Sequence, residues 1–336
     1  MKNYAIIGFG GLGKKHLVNL KKIEAERGDF RLKAICGATP AALKEKVTLN
    51  LGVVDLSNLD FSDCTLYEDY KEMIEKEKLD FVFSVLPTYL HEEVAVYAME
   101  KGLDVFSEKP MALTLDGCKH MLDAAEKLGR KLMIGQCLRF SPAFQKLKEY
   151  VATEKYGKAY SAEFIRYSQT PLWTWQNWIL DPSKSGGCPW DMHVHDVDMM
   201  CYLFGTPKSV RAVKTDKKVK LESIWGEFEY ENGLIVSARA DWSLPQTYPF
   251  EARALIRFER AAIAVTADRL TVYEDENSYD VPLDETDYFE AEMHAFLRLT
   301  INGEACKESE LQSVYESMRV VDKEIESAIK GEKICF

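Results

Sequence analysis

The sequence has no long hydrophobic run. No segment approaches the roughly 20 apolar residues that a membrane-spanning helix needs. The first apolar run, at 4–7, has the length of one strand and leads directly into glycines, whereas the apolar core of an export signal is longer. We therefore expect a cytoplasmic protein without a membrane partner.

The sequence also has no excess of basic residues. Its 336 residues include 43 Lys and Arg against 54 Asp and Glu, which gives a net charge of −11. Binding of nucleic acid needs a clustered basic surface, and the basic residues here are scattered among acidic ones. We therefore expect no nucleic-acid partner. The length indicates two domains.

Paired cysteines are absent as well. The eight cysteines form no Cys-x-x-Cys motif and follow no regular spacing. Without such a motif we expect no cysteine-bound zinc. We expect free thiols in a reducing compartment, most of them buried.

Strand and helix patterns alternate in the first part of the chain. The predicted strands are 2–7, 31–36, 80–86, 104–107 and 132–135. The predicted helices are one that follows Gly13 and runs to about Ile23, one that begins at Thr39-Pro40, and those near 68–77, 90–101 and 115–128. Strands separated by helices of this length pair in parallel through right-handed crossovers. Residues 1–138 are therefore expected to form an α/β domain, a doubly wound parallel sheet.

The pattern changes after about residue 138. Segments that alternate between apolar and polar residues indicate strands with one solvated face, at 159–167, 224–230, 234–242 and 252–258. Helices are predicted at 189–204, 286–301 and 309–330. Residues 139–336 are thus expected to form an α+β domain, with one large open antiparallel sheet and helices on one face.

A glycine-rich turn joins the first predicted strand to the first helix. It consists of Gly8, Phe9, Gly10, Gly11, Leu12 and Gly13. The first glycine of the Gly-x-Gly-x-x-Gly pattern permits a tight turn, the second lets a pyrophosphate approach, and the third allows close packing of helix on strand. The position between strand and helix favours a dinucleotide site. The alternative is an ordinary glycine turn.

The acidic residue that holds the adenosine ribose in many such sites is missing. The second strand ends in Cys36-Gly37-Ala38-Thr39, and no arginine follows for a 2′-phosphate. Lys44 and Lys46 lie nearby in the sequence. The choice between NAD and NADP stays open at this point.

The segment Glu108-Lys109-Pro110 directly follows the 104–107 strand. Ligands of open α/β sheets bind at this carboxyl edge. A lysine there can stabilise negative charge on a substrate oxygen. The alternative is an ordinary exposed turn.

The helix predicted at 189–204 carries a histidine between two carboxylates. On this helix Asp191, His195 and Asp198 stand at i, i+4 and i+7, so we expect all three to project from one face, while His193 and Asp196 point elsewhere. A carboxylate one turn from a histidine suits a general base. A capped surface helix and a carboxylate–histidine metal site are the alternatives.

Tryptophans cluster just before this helix, at Trp173, Trp175, Trp178 and Trp190. Flat aromatic faces suit a sugar or polyol ring. They suit a core or an oligomer interface equally well.

Together these motifs resemble the glucose–fructose oxidoreductase, inositol 2-dehydrogenase and rhizopine catabolism (Gfo/Idh/MocA) family. The matching segments are GFGGLGKKH at 8–16, SVLPTYLH at 84–91, SEKP at 107–110, GQCLRFSP at 135–142 and the GG…D-x-x-x-H…D pattern at 186–198. The resemblance implies a Rossmann domain, a nicotinamide cofactor (NAD or NADP), and a second domain whose open sheet forms a homodimer or homotetramer.

The resemblance also implies roles for individual residues. Catalysis maps onto Lys109, Asp191 and His195, without a metal. Besides the glycine turn, the cofactor would contact Gly37, Pro87, His91, Glu108, Lys109 and Gln136. A polyol or sugar substrate would contact Lys109, Arg139, Trp178, Asp191, His195 and Asp198. The run from His195 to Asp198 looks most like the inositol dehydrogenase branch, where the last aspartate can contact a ring hydroxyl.

The chain departs from the family pattern at two positions. Gly37 replaces the frequent acidic residue, and Tyr89 stands where an asparagine is common. The expected activity is hydride transfer between nicotinamide and a secondary alcohol or carbonyl. Two alternatives stay open: a non-catalytic sugar or redox sensor, and a redox-neutral enzyme that retains its cofactor.

Overall fold

The computed structural model describes residues 1–49 and 52–336, which form two compact units. The first comprises Met1–Ala112, Asp116–Gly135 and Phe289–Leu311, and the second Leu113–Leu115, Gln136–Tyr288 and Gln312–Phe336. The chain passes from the first unit to the second after Gly135. The chain also returns to the first unit near its end. Within the described residues, no helix combines the length and the apolar character needed to cross a membrane.

The first unit alternates strands and helices. Its strands are β1 (Lys2–Ile7), β2 (Phe30–Cys36), β3 (Lys46–Leu49), β4 (Gly52–Asp55), β5 (Thr65–Tyr67), β6 (Phe81–Ser84), β7 (Asp104–Glu108) and β8 (Leu132–Gly135). Its first helices are α1 (Gly11–Arg27), α2 (Tyr70–Lys76), α3 (His91–Glu100) and α4 (Leu115–Leu128). The main sheet has the order β5-β2-β1-β6-β7-β8, with every pair parallel. The predicted doubly wound parallel sheet is confirmed.

The prediction of a helix that begins at Thr39-Pro40 is wrong. Thr39 Oγ1 does accept a hydrogen bond from the backbone N–H of Ala42, but only a 3₁₀ turn follows, at Ala42–Lys44. The next residues pair as the antiparallel hairpin of β3 and β4. Half of the residues in each strand of this hairpin are β-branched, which favours extended backbone over helix.

The second unit contains the later strands. They are β9 (Ala159–Gln169), β10 (Ser209–Thr215), β11 (Ser223–Glu229), β12 (Ile235–Leu244), β13 (Glu251–Phe258), β14 (Ala262–Val265), β15 (Leu270–Tyr273), β16 (Ser278–Asp280) and β17 (Ile334–Cys335). They form one sheet of order β16-β15-β14-β13-β9-β12-β11-β10-β17. The sheet is mostly antiparallel, as expected, but β9 and β12 pair in parallel.

The later helices are α5 (Pro142–Ala152), α6 (Pro182–Ser185), α7 (Val194–Phe204), α8 (Tyr288–Leu297) and α9 (Leu311–Lys330). Except for Tyr288, α8 belongs to the first unit. The Phe296 ring lies 5.8, 5.2 and 5.8 Å from the rings of Phe81, Phe83 and Phe106. These contacts with β6 and β7 explain why a segment expected in the second domain packs with the first.

Candidate active site

The glycine turn packs more tightly than any other residue type would allow. Gly8 has a φ of 98°, and its N–H donates to the carbonyl of Cys36 at 3.1 Å. A Cβ on Gly8 would lie 2.1 Å from the carbonyl oxygen of Val85, and one on Gly13 would lie 2.2 Å from the carbonyl oxygen of Gly8. The first and third glycines are therefore required by the fold itself.

Gly10 differs from its neighbours because nothing lies within 4 Å of the position its Cβ would take. It is the N-cap of α1 and offers no side-chain cap, and the first turn of that helix contains no acidic residue. The first N–H groups of a helix have no intrahelical acceptor and carry partial positive charge. This open, uncapped helix end suits the pyrophosphate of a dinucleotide.

Two buried polar groups lie at the carboxyl ends of strands. The Ser84 hydroxyl ends β6, and Gln136 follows β8; these residues are 0% and 1% exposed. Among the described residues, neither Ser84 Oγ nor Gln136 Nε2 has a hydrogen-bond partner. Buried polar groups are nearly always satisfied, so both fit a ligand at this edge. Sequence reasoning included Gln136 but not Ser84.

The remaining predicted cofactor residues have different surroundings. Gly37 is exposed at the end of β2, with a φ of 87° and its N–H bonded to the carbonyl of Tyr67. Pro87 precedes the 3₁₀ turn Thr88–Leu90. The His91 ring is buried, and its Nδ1 and Nε2 lie 2.7 and 2.8 Å from the carbonyls of Pro110 and Leu86. Burial also lowers the pKa of His91. These contacts hold His91 within the protein framework, and its expected contact with the cofactor stays a prediction.

Lys109 is held through its neighbour Glu108. The Glu108 carboxylate is 2.5 Å from Nε2 of His16 on α1, and its other oxygen accepts the backbone N–H of Lys109 at 3.2 Å. His16 and Glu108 are buried, whereas Lys109 is partly exposed. The pair thus ties the glycine-turn helix to the backbone of the predicted catalytic lysine. Sequence reasoning missed His16, although it closes the GFGGLGKKH motif.

The predicted 189–204 helix begins with a π-helical turn at Pro189–His193 and continues as α7. Among residues 189–200, only Asp191 and His195 keep partly exposed side chains. Asp191 lies in the π-helical turn and His195 in α7, so the regular α-helix assumed from the sequence does not include both residues. π-Turns occur often at functional sites.

Two glycines let the chain enter this turn. Gly186 and Gly187 have φ values of 76° and 75°. A Cβ on Gly186 would lie 2.4 Å from Cβ of Trp190, and one on Gly187 would lie 2.7 Å from Cβ of Leu221. Trp190 is buried and belongs to the core.

Asp198 does not share the exposure of Asp191 and His195. Its two oxygens accept hydrogen bonds from Arg139 Nε and Nη2 at 2.8 and 2.6 Å, and both side chains are 1% exposed. Burial opposes the charge of Arg139, but Asp198 holds the pKa of Arg139 above its usual value. Arg139 also donates to Ser313 on α9. Arg139 and Asp198 therefore form an internal ion pair, and the substrate contacts expected for both residues stay predictions.

The side chains of His193 and Asp196 are buried. His193 is 0% exposed, with Nε2 3.3 Å from Glu324 and Nδ1 3.7 Å from Asp196. Asp196 accepts two hydrogen bonds from Arg166 on β9, at 2.9 and 3.0 Å. Burial works against the charged ring, but Glu324 and Asp196 together raise the pKa of His193 to about 9. Glu324 lies on α9, so no local sequence pattern could reveal this network.

The raised pKa makes stability depend on pH. The folded value of about 9 exceeds the ordinary 6.5, so the contribution of His193 is complete below pH 6.5 and is lost as the pH rises through 9. We expect the free energy of unfolding to fall over this range by up to about 1.4 kcal/mol per pH unit. Urea titrations should show this slope in the wild type and a shallower one in His193→Gln/Glu324→Gln. Equal slopes would contradict the assignment.

The tryptophans divide into two groups. Trp190 is buried and Trp178 is partly exposed, whereas Trp173 and Trp175 are 58% and 66% exposed. The substrate contact expected for Trp178 stays a prediction.

In the part of the chain that the structure describes, two groups of side chains have the spacing of a metal site. They are His16 with Glu108 and Glu292, and Glu26 with Glu290 and His294. Neither contains Asp191, His195 or Asp198. In the first group, Nε2 of His16 is already hydrogen-bonded to the Glu108 carboxylate.

Comparison with known proteins identifies both parts of the chain. Residues 2–136 match the model of the GFO/IDH/MocA oxidoreductase family, described as an NAD-binding Rossmann fold, and residues 144–276 match its C-terminal domain. The parallel sheet and the open sheet follow the same division.

Curated relatives include several sugar and polyol dehydrogenases. A D-xylose 1-dehydrogenase (NADP(+)) of Haloferax volcanii is 26% identical over 98% of this chain and 98% of its own length. The myo-inositol 2-dehydrogenase of Thermotoga maritima is 31% identical over 66% of this chain and 60% of its own length. Among solved structures, a levoglucosan dehydrogenase in complex with NADH and levoglucosan has a TM-score of 0.84 at 20% identity, covering 99% of both chains.

Proposed function

The chain belongs to the GFO/IDH/MocA family of NAD-binding oxidoreductases, and on this basis we propose that it oxidises or reduces a cyclic polyol, sugar or sugar derivative. It is an NAD(P)-dependent enzyme that acts on CH–OH groups. The two curated relatives named above are dehydrogenases of D-xylose and of myo-inositol. The proposed reaction transfers a hydride between nicotinamide and a secondary alcohol or carbonyl carbon, as in the inositol dehydrogenases.

The proposal gives each catalytic candidate one role. The nicotinamide, when bound, accepts or supplies the hydride. His195 takes the proton of the substrate hydroxyl in the oxidative direction, and the Lys109 ammonium stabilises the negative charge that develops on the same oxygen. Asp191 orients the histidine, and Trp178 supplies an apolar surface for the ring of the substrate.

One observation carries the choice of these side chains. In the segment 189–200, which is otherwise buried, Asp191 and His195 alone keep partly exposed side chains. A proton-transfer group must reach its substrate, and the buried alternatives His193, Asp196 and Asp198 are held in internal ion pairs.

A substrate screen tests the proposal. Purified protein would be incubated with inositols, aldoses, ketoses and glycosides, each with NAD and with NADP, and the absorbance of the reduced nicotinamide would be followed. Steady formation of reduced cofactor supports the dehydrogenase. Substrate conversion without net change in the free cofactor would favour a redox-neutral enzyme, and ligand binding without conversion would favour a sensor.

The reaction is expected to need no metal. Of Asp191, His195 and Asp198, the last is already occupied by Arg139, which leaves two ligands where catalytic zinc usually has three. Turnover should therefore survive exhaustive chelation, and metal analysis should find far less than one ion per chain. Loss of turnover with EDTA that zinc or manganese restores would reassign these residues as metal ligands.

We further propose a homodimer or homotetramer that assembles through the open face of the large sheet. Val213 and Trp225 lie side by side on β10 and β11 and are 54% and 41% exposed. Exposed apolar side chains of this size mark interaction surfaces, and light scattering would give the mass in solution.

The eight free cysteines fit a reducing cytoplasm.

A further inference from the structure

An acidic side chain reaches the first turn of α1 from a part of the chain where the sequence pattern does not place one. Lys14, which directly follows the last glycine of the turn, has its Nζ 2.5 Å from Oε2 of Glu45. The lysine side chain is only 9% exposed and lies over the ring of Phe9 at 5.5 Å, while the glutamate side chain is 48% exposed. A buried lysine thus holds an accessible carboxylate next to the glycine turn.

The route of the chain explains how Glu45 arrives there. β2 ends at Cys36, and a Cβ on Gly37 would lie 3.8 Å from the backbone nitrogen of Phe9. The end of β2 is therefore adjacent to the glycine turn. The following residues fold into a compact turn. In this turn the Leu43 N–H donates to the backbone carbonyl of Thr39, and the Glu45 N–H donates to the backbone carbonyl of Ala42.

We infer that Glu45 replaces the acidic residue missing at Gly37, and that the enzyme consequently prefers NAD(H) to NADP(H). The inference rests on the proposed use of a nicotinamide dinucleotide. In this fold an acidic side chain beside the end of β2 accepts a hydrogen bond from the ribose 2′-hydroxyl. The same charge repels the 2′-phosphate that distinguishes NADP(H).

Two of the neighbouring lysines, Lys14 and Lys46, are already paired with carboxylates. Lys14 would attract a phosphate if it stood alone, but its charge is matched by Glu45. Lys46 lies 3.6 Å from Asp55 in the adjoining hairpin. A phosphate entering here would have to displace a carboxylate from a lysine, whereas a hydroxyl can bond to that carboxylate in place.

Binding measurements on Glu45 variants test the inference independently of turnover. Dissociation constants for NADH and NADPH would be measured by fluorescence titration of the wild type, Glu45→Gln and Glu45→Lys. We expect the wild type to bind NADH more tightly. Glu45→Gln should lower the NADH preference by roughly 10–100-fold, the value of one hydrogen bond to a charged group. Glu45→Lys should bind NADPH more tightly than NADH.

Glu149→Gln is the matched control, because Glu149 also pairs with a lysine, Lys146 on α5, but belongs to the second unit and not to the unit that contains the glycine turn. It should leave both constants unchanged. A wild type that prefers NADPH, or a Glu45→Gln variant with an unaltered preference, would overturn the inference while leaving the dehydrogenase assignment intact. If the wild type bound neither nucleotide, the proposed function itself would fail.

Discussion

Turnover is expected to fall by roughly 10²–10⁴ when Lys109 is replaced by methionine or His195 by alanine. Methionine keeps much of the length of lysine but removes the charge that would stabilise the substrate oxygen. Alanine removes the group that would accept the hydroxyl proton. In His195→Ala the affinity for NADH should change little, because only the proton-transfer group is lost.

Two surface variants serve as controls for this experiment. Lys101→Met removes an exposed lysine that precedes β7 and pairs with Glu75, and His120→Asn removes an exposed histidine that pairs with Glu92. Both should keep full turnover. His195→Ala should also lose the acidic limb of the pH profile of kcat/KM, which a purely structural role would not change. If His195→Ala kept most of its turnover, the base would have to be another group.

Strands β6 and β8 of the first unit could be predicted from local patterns because they are buried on both faces. FVFS and LMIG are continuous apolar runs, and they form β6 and β8. The packing of α8 could not be predicted in the same way. Phe296 contacts Phe81 and Phe83, which lie more than half the chain length earlier in the sequence. An apolar helix face does not specify which sheet it will cover.

The helix predicted at 189–204 shows where a prediction from periodicity fails. The pattern over Asp191, His195 and Asp198 assumes a regular α-helix, but the structure starts with a π-turn at Pro189–His193. Asp198 has the correct residue type for a substrate ligand, yet Arg139 engages both of its oxygens. The partner of a charged group is set by tertiary packing, and for Asp198 it lies 59 residues earlier in the chain.

The largest effect on cofactor binding is expected for Gly10→Val. Gly10 has a φ of −73°, which valine can adopt, and no atom lies within 4 Å of its would-be Cβ. The fold should therefore tolerate the substitution. The new methyl groups would occupy the space in which a pyrophosphate must approach the N-terminus of α1. We expect NADH binding to weaken by at least about 100-fold, since the loss of several hydrogen bonds to charged phosphate is worth roughly 3 kcal/mol or more.

Gly13→Ala provides the contrast that separates the two uses of glycine in this turn. Its Cβ would lie 2.2 Å from the carbonyl oxygen of Gly8, so the backbone must shift and the protein should lose roughly 1–3 kcal/mol of stability. Gly10→Val should keep the wild-type melting temperature and lose NADH, whereas Gly13→Ala should melt earlier. A Gly10→Val protein that binds NADH normally would mean that this turn does not hold the pyrophosphate. The opposite pattern, early melting without loss of NADH, would make Gly10 a residue of the fold like Gly8 and Gly13. Only loss of binding with unchanged melting assigns the open face of Gly10 to the cofactor.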